Sequence, residues 1–248
     1  MVESVSDDVA MVARIDAIPS ILEIVCQTTG LGFAAVARVT DTNWTACAVR
    51  DEIGFGLKPG DELDLRSTIC DEIRQSGLGV VIDHVAEDAH FRDHHTPAQY
   101  GFQSYISMPI VCEDGRLFGT LCAIDPAPAK LSDPATIATF RSFAKLIGRQ
   151  LDQQAKSEES ERVADHNAAL REQFIAILGH DLRNPVAAIQ AGTHLLGRET
   201  LSARAEMLIE HMQLSCQRMT GLINDLLDFA RGRLGSGLVL SRKKAVGL

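Results

Sequence analysis

A heptad near the end of the chain constrains its fold more than any other feature. Leu201, Ala205, Leu208, Met212, Ser215, Met219, Leu222, Leu226 and Phe229 follow one another in alternating steps of four and three. A sustained repeat of this kind specifies a helix that packs lengthwise against other helices. A second stripe, Ile209, Cys216, Ile223 and Ala230, widens the apolar face. The stretch from Leu170 is also helical in pattern, and the two runs join near Gly197. The spacing predicts a helical hairpin whose second arm runs from about Ser202 to Arg231. A lone hairpin has too little core for so wide an apolar face. Two copies make a four-helix bundle, so a homodimer is expected through this segment. Packing against the N-terminal helix of the same chain is the alternative.

The first part of the chain reads differently. Val9, Val12, Ile15, Ile18, Leu22 and Val25 predict one helix over about Asp7 to Thr29. LGFAAVARV and WTACAV then read as strands bounded by Gly, Asp and Asn. STICDEIRQSG reads as a short helix with Ser67 as a possible cap, and VVID as a further strand. In SYISMPIVCEDGRLFGTLCAID two strands flank Asp114-Gly115, a strong hairpin signal. Asp133 and Pro134 suit the cap and first position of a helix carrying Ile137, Phe140, Phe143, Ile147 and Leu151. Residues 1–152 therefore read as one α+β unit, an antiparallel sheet flanked by helices. Residues 153–169 are polar, with neither Pro nor Gly, and fit a solvated linker or a helical signalling linker.

Charge and cysteine usage narrow the function. The net charge is −9 and no basic stripe stands out, which argues against nucleic acid and against an anionic membrane surface. No apolar run approaches the ~18 residues that span a bilayer. The acidic start does not resemble a secretory signal, so a cytoplasmic protein is expected. The six cysteines form no C-x-x-C pair. They read as small buried hydrophobes, and no metal site is expected.

The chemistry concentrates in FIAILGHDLRNPVAAI. At about 100° per residue, Phe174, Leu178, Leu182, Pro185, Ile189, Gly192 and Leu196 share one sector, the expected buried face. His180 lies about 160° from its middle and faces solvent, with Asn184 one turn further on the same side. Ala187 and Ala191 leave a low outward surface on which another protein can dock. An imidazole is a nucleophile near neutral pH, one nitrogen attacking while the other keeps its proton. Asp181 is placed to accept that proton. Pro185 removes the helical donor to the Asp181 carbonyl, so a local kink is expected.

Two resemblances follow. Residues 1–152, above all the MPIVCEDGRLFGTLCAID hairpin, resemble a GAF sensory domain. FIAILGHDLRNP resembles the H-box of the HisKA-type dimerisation and phosphotransfer domain of sensor histidine kinases, and RMTGLINDLLDFARGRLGSGL resembles its second helix and following linker. The second resemblance implies that His180 is the phosphoacceptor, Asp181 its general base and Asn184 the residue that orients water for phosphatase action. It implies phosphate transfer to an aspartate of a response-regulator receiver domain. The chain then divides into a GAF domain (1–152), a linker (153–169), the phosphotransfer hairpin (170–232) and the stub of an ATP-binding domain (233–248). The expected function is the sensory and phosphoacceptor part of a cytosolic histidine kinase. ATP and magnesium would enter only through a catalytic domain that this chain does not show. The chain is either truncated or served by a kinase in trans. Non-catalytic phosphotransfer or scaffolding, and a pure GAF ligand-binding module, are the alternatives.

His84, His90, His94 and His95 cluster in DHVAEDAHFRDHHTP. They read as a polar loop and short helix over the sheet, with His90 and His94 on one helical face. A metal or haem role is the sharper alternative. Bilin-binding GAF domains carry a Cys-His pair, whereas Cys70, Cys112 and Cys122 here precede Asp71, Glu113 and Ala123. That argues against covalent attachment of a bilin, and the GAF ligand stays unassigned.

Overall fold

The computed structural model describes residues 5–232, so the stub expected over 233–248 lies outside the described residues. The chain divides into two compact units between Glu159 and Ser160. In the first, the N-terminal helix is two helices, α1 (Val5–Ala13) and α2 (Ala17–Thr29). Pro19 explains the correction. Its ring has no N–H and collides with the carbonyl four residues back, at Ile15, so a helix cannot run through that point. In the first turn of α2 the same proline is tolerated.

Six strands follow: β1 (Phe33–Val39), β2 (Asn43–Asp51), β3 (Glu62–Asp64), β4 (Val80–Ile82), β5 (Ser104–Val111) and β6 (Leu117–Asp125). They form one sheet in the order β3-β2-β1-β6-β5-β4, with every pair antiparallel. Central β1 is covered on both faces, which is why Phe33 to Ala37 are apolar without alternation. Asp114-Gly115 turns β5 into β6, Gly115 taking φ +86° and the Asp114 carboxylate accepting the Arg116 N–H at 2.9 Å.

Between β3 and β5 lie a 3-10 turn (Leu65–Ser67), α3 (Cys70–Ser76) and α4 (His95–Tyr100). Ser67 does not cap α3. Its hydroxyl donates back to the Asp64 carbonyl, and Asp64 caps the inserted 3-10 turn by accepting from the Arg66 N–H. The extra turn moves the cap of α3 from Ser67 to Ile69, two residues along the chain. β3 (ELD) and α4 (HTPAQY) are short and polar, and carry no apolar pattern in the sequence.

Two cores cover the sheet. α1, α2 and the start of the next helix, α5 (Pro134–Leu196), pack on one face through Ile18, Leu22, Phe140, Ile147 and Leu151. Phe33, Trp44, Ile69, Phe102 and Tyr105 belong to the other. Asp133 caps α5, accepting the N–H groups of Ala135 and Thr136 at 3.0 and 3.1 Å. A Cβ on Gly148 would meet the Val111 carbonyl at 2.4 Å, so only glycine lets α5 lie this close to β5. All six cysteines are free and buried, and burial pushes the Cys47 thiol up to about 12.

One buried ion pair fixes α1. Asp8, with 3% of its side chain exposed, accepts from Arg38 Nε at 2.7 Å. Arg38 also donates to the carbonyls of Val39 and Phe118. Removing one partner strands the other charge, so Asp8→Ala is expected to cost about 3–5 kcal/mol. Urea unfolding measures this, and an unchanged midpoint would remove the pair from the account of α1 docking.

The second unit is a hairpin of the later part of α5 and α6 (Ala203–Gly232). Residues 153–169 are helical throughout, because α5 runs unbroken from Pro134 to Leu196. Between the arms, Ile175, Gly179, Val186 and Thr193 of α5 are buried with Cys216 and Leu227 of α6. Within one chain the buried layer of α5 is therefore distinct from the expected apolar face. Phe174, Leu178, Leu182, Ile189 and Leu196 all stay exposed in the single chain. The α6 heptad behaves likewise, with Leu208, Met212, Met219, Leu222, Leu226 and Phe229 exposed. Glycine, valine, threonine and cysteine allow the two arms a close approach, and the bulkier residues are left on open faces. Among the described residues, no helix is long and apolar enough to cross a membrane.

Candidate functional site

The reactive turn lies in α5, on the side away from Gly179 and Val186. His180 and Asp181 have 72% and 67% of their side chains exposed. His180 Nδ1 lies 3.3 Å from Asp181 Oδ1. A carboxylate can only accept, so this contact puts the proton on Nδ1 and leaves the Nε2 lone pair free to attack. The Asn184 amide nitrogen lies 3.2 Å from Nδ1 and 3.3 Å from Nε2. With Nδ1 protonated, Nε2 is the acceptor available to that amide. The structure thus brings His180, Asp181 and Asn184 together on one exposed surface, beside exposed Ala187 and Ala191. α5 continues through Pro185, whose missing N–H leaves the Asp181 carbonyl without a helical donor.

Sequence reasoning missed the contacts behind this turn. Arg183 reaches across to α6, where Nη2 and Nε donate to Asn224 Oδ1 at 2.9 and 3.3 Å. The signal was present, since Asn224 is a polar residue inside the apolar stretch GLINDLLDF. A Cβ on Gly179 would come within 2.9 Å of Leu227 Cδ1, so the residue before the histidine is where the arms lie close together. Arg183–Asn224 and Gly179–Leu227 set how α5 sits against α6 at the level of His180.

Two family models match, the GAF domain over residues 14–151 and the His Kinase A (phospho-acceptor) domain over residues 170–235. The chain belongs to the GAF family and carries a HisKA domain. A bacteriophytochrome of Pseudomonas aeruginosa is 38% identical over 72 residues, which is 29% of this chain and 10% of that protein. The autoinducer 2 sensor kinase/phosphatase LuxQ of Vibrio cholerae is 30% identical over 79 residues, or 31% of this chain and 9% of that protein. The match to each of these relatives thus spans about a tenth of its length. The PixJ GAF domain of Thermosynechococcus elongatus, in its blue-light absorbing form, superposes with a TM-score of 0.51 at 15% identity. That match covers 67% of this chain and 97% of PixJ GAF, and it bears on the fold. A GAF domain joined to a HisKA domain supports two-component histidine-kinase signalling.

The histidine cluster lies in the GAF unit. Residues 90–93 are turns, not helix, because Asp88, which follows a 3-10 turn over Val85–Glu87, takes the N–H groups of His90 and Phe91 on its Oδ1. His90 and His94 nevertheless converge, their Nε2 atoms 3.5 and 3.4 Å from the two carboxylate oxygens of Glu72. Burial, with His95 and His90 alongside, lowers the pKa of His94. Among the described residues, no three His, Cys, Asp or Glu side chains are arranged to hold a metal ion.

Proposed function

We propose that this GAF–HisKA chain is the sensory and phosphoacceptor part of a histidine kinase, with His180 as the residue phosphorylated. The observation that carries the reading is the exposed imidazole with its Nδ1 beside the Asp181 carboxylate and the Asn184 amide within 3.3 Å of both ring nitrogens. Nε2 attacks the γ-phosphorus of ATP, the P–N bond forms, and the bond to the β-phosphate oxygen breaks with ADP as leaving group. The Nδ1 proton moves toward the Asp181 carboxylate as the ring gains positive charge. Asn184 gives up Nε2 and donates to a phosphoryl oxygen, from where it can later orient water. Among the described residues, no glycine-rich turn joins a strand to a helix in the manner of a phosphate cradle. ATP and magnesium are therefore assigned to a catalytic domain acting on His180, in cis or in trans.

The open faces of α5 and α6 join two copies in a four-helix bundle, and a response-regulator receiver domain docks around His180 to take the phosphoryl group on an aspartate. The GAF unit supplies the signal through the helical residues 153–169. Phosphoryl transfer depends mostly on positioning, so a small movement of the imidazole is enough to regulate it.

The test uses γ-labelled ATP with the full chain, alone and with an added sensor-kinase catalytic domain. Acid-labile label is expected on His180. Asp181→Ala is expected to slow labelling about a hundredfold. No label at His180 under either condition would overturn the reading.

A further inference from the structure

The covered face of the GAF sheet holds a chamber with an unusual concentration of rings. Phe33, Trp44, Phe55, Tyr100, Phe102 and Tyr105 all line it. These are half of the chain's aromatic residues and include its single tryptophan and both tyrosines. The enclosed space is small, about 50 Å³ to the centres of water-sized spheres, and it opens to solvent. The rings narrow it, with Phe33 and Phe55 4.8 Å apart between centroids and Phe102 stacked on Tyr105 at 5.5 Å. It has room for a molecule built on one ring.

No lining residue of the chamber is Asp, Glu, Lys, Arg or His. Its polar atoms are already engaged with protein. The Thr68 and Thr96 hydroxyls donate to the carbonyls of Leu65 and Ser67, the Tyr100 hydroxyl bonds Ser67 Oγ at 2.7 Å, and the Tyr105 hydroxyl meets Cys70 Sγ. Outside Phe55 lies a second hollow, and its lining is uncharged as well. A phosphate or carboxylate entering here would lose its water and meet no counter-charge, which is costly. Burial raises the pKa of the Cys70 and Cys122 thiols, keeping both protonated and poor nucleophiles.

Phe55 lines both spaces, as do Leu57, Tyr100, Phe102 and Ile124, and its ring lies beside those of Phe33 and Tyr100. It sits on a loop tied down by one side chain. The Asp51 carboxylate accepts the N–H groups of Ile53, Phe55 and Gly56. Gly54 and Gly56, on either side of Phe55, both have positive φ. The loop therefore has a fixed base and a ring at its tip.

From this chemistry we infer that the GAF unit binds a small uncharged aromatic molecule non-covalently in this chamber, admitted past Phe55. The inference rests on reading the GAF unit as the sensory one. It names the signal's chemistry, and it is independent of phosphate uptake by His180.

Trp44 makes the test direct, because all tryptophan emission comes from the chamber. The full chain is titrated with toluene, p-cresol, benzoate and cyclic GMP while Trp44 fluorescence is followed. Toluene and p-cresol are expected to saturate one site per chain, and benzoate and cyclic GMP to bind at least a hundredfold more weakly. Ile124→Phe puts bulk into the chamber and is expected to abolish the signal while thermal unfolding stays cooperative. Should that variant not fold, Phe55→Ala in the exposed loop is expected to weaken binding at least tenfold. Anion binding as tight as that of p-cresol, no saturable change with either neutral probe, or unchanged binding by Phe55→Ala would each overturn the inference. Failure here with intact labelling of His180 removes only the ligand assignment. Failure of the labelling alone removes only the phosphoacceptor reading.

Discussion

Replacing His180 by glutamine is expected to bring phosphate uptake down to background while the protein stays folded and paired. Glutamine keeps polarity and similar length but has no ring nitrogen with a free lone pair. Nothing else on this surface substitutes, since Asp181 and Asn184 are a weak nucleophile and none at all in this setting. Stability should change by no more than about 0.5 kcal/mol, because the side chain is largely exposed and bonds to Asp181 and Asn184 of its own helix. Labelling with γ-labelled ATP and a catalytic domain measures the first part, and sedimentation the second. Loss of the dimer in this variant would put His180 inside the interface, and the assigned helical face would be wrong.

Leu222→Lys is expected to separate the two copies. In one chain Leu222 is 68% exposed, on the open face with Met219, Leu226 and Phe229. Lysine there costs little in a single chain. In a bundle it would bury an ammonium among apolar side chains, at a cost of at least about 3 kcal/mol. That corresponds to a dimer dissociation constant weaker by more than about a hundredfold. Sedimentation equilibrium across a concentration series reads the change. A dimer of unchanged strength would place the contact elsewhere, for example on the GAF unit.

The parts of this fold legible from sequence were those with a long period or a specific turn. The α6 heptad, the Asp114-Gly115 hairpin and the Asp133-Pro134 helix start each carry a local signal, and the structure has an element at each. The N-terminal break was legible too, at Pro19, but continuous apolar spacing on both sides concealed it. β3 and α4 were not legible, since ELD and HTPAQY hold no apolar run, whereas the equally short β4 is β-branched throughout. The layer of α5 that packs inside one chain was not legible for a different reason. A wheel ranks faces by bulk and apolarity, whereas the hairpin buries the face that lets its arms lie close. Gly179, Val186 and Thr193 score poorly on a wheel and pack well. At the reactive turn, the grouping of His180 with Asp181 and Asn184 follows from adjacency and one helical turn. Arg183–Asn224 joins residues far apart in sequence, and only the folded hairpin brings them together. The aromatic chamber was dispersed in the same way, its rings coming from segments between β1 and β5.

The close contact of Gly179 with Leu227 makes that point a fulcrum for α5. Prising the arms apart there would separate buried Gly179 from buried Leu227, whereas turning α5 about its own axis need not. Side chains stand about 5–6 Å from a helix axis, so a twist of about 20° sweeps the neighbouring imidazole through roughly 2 Å. A torque delivered along α5 would therefore reach His180 as sideways travel across the bundle surface, with the hinge one residue away holding its place.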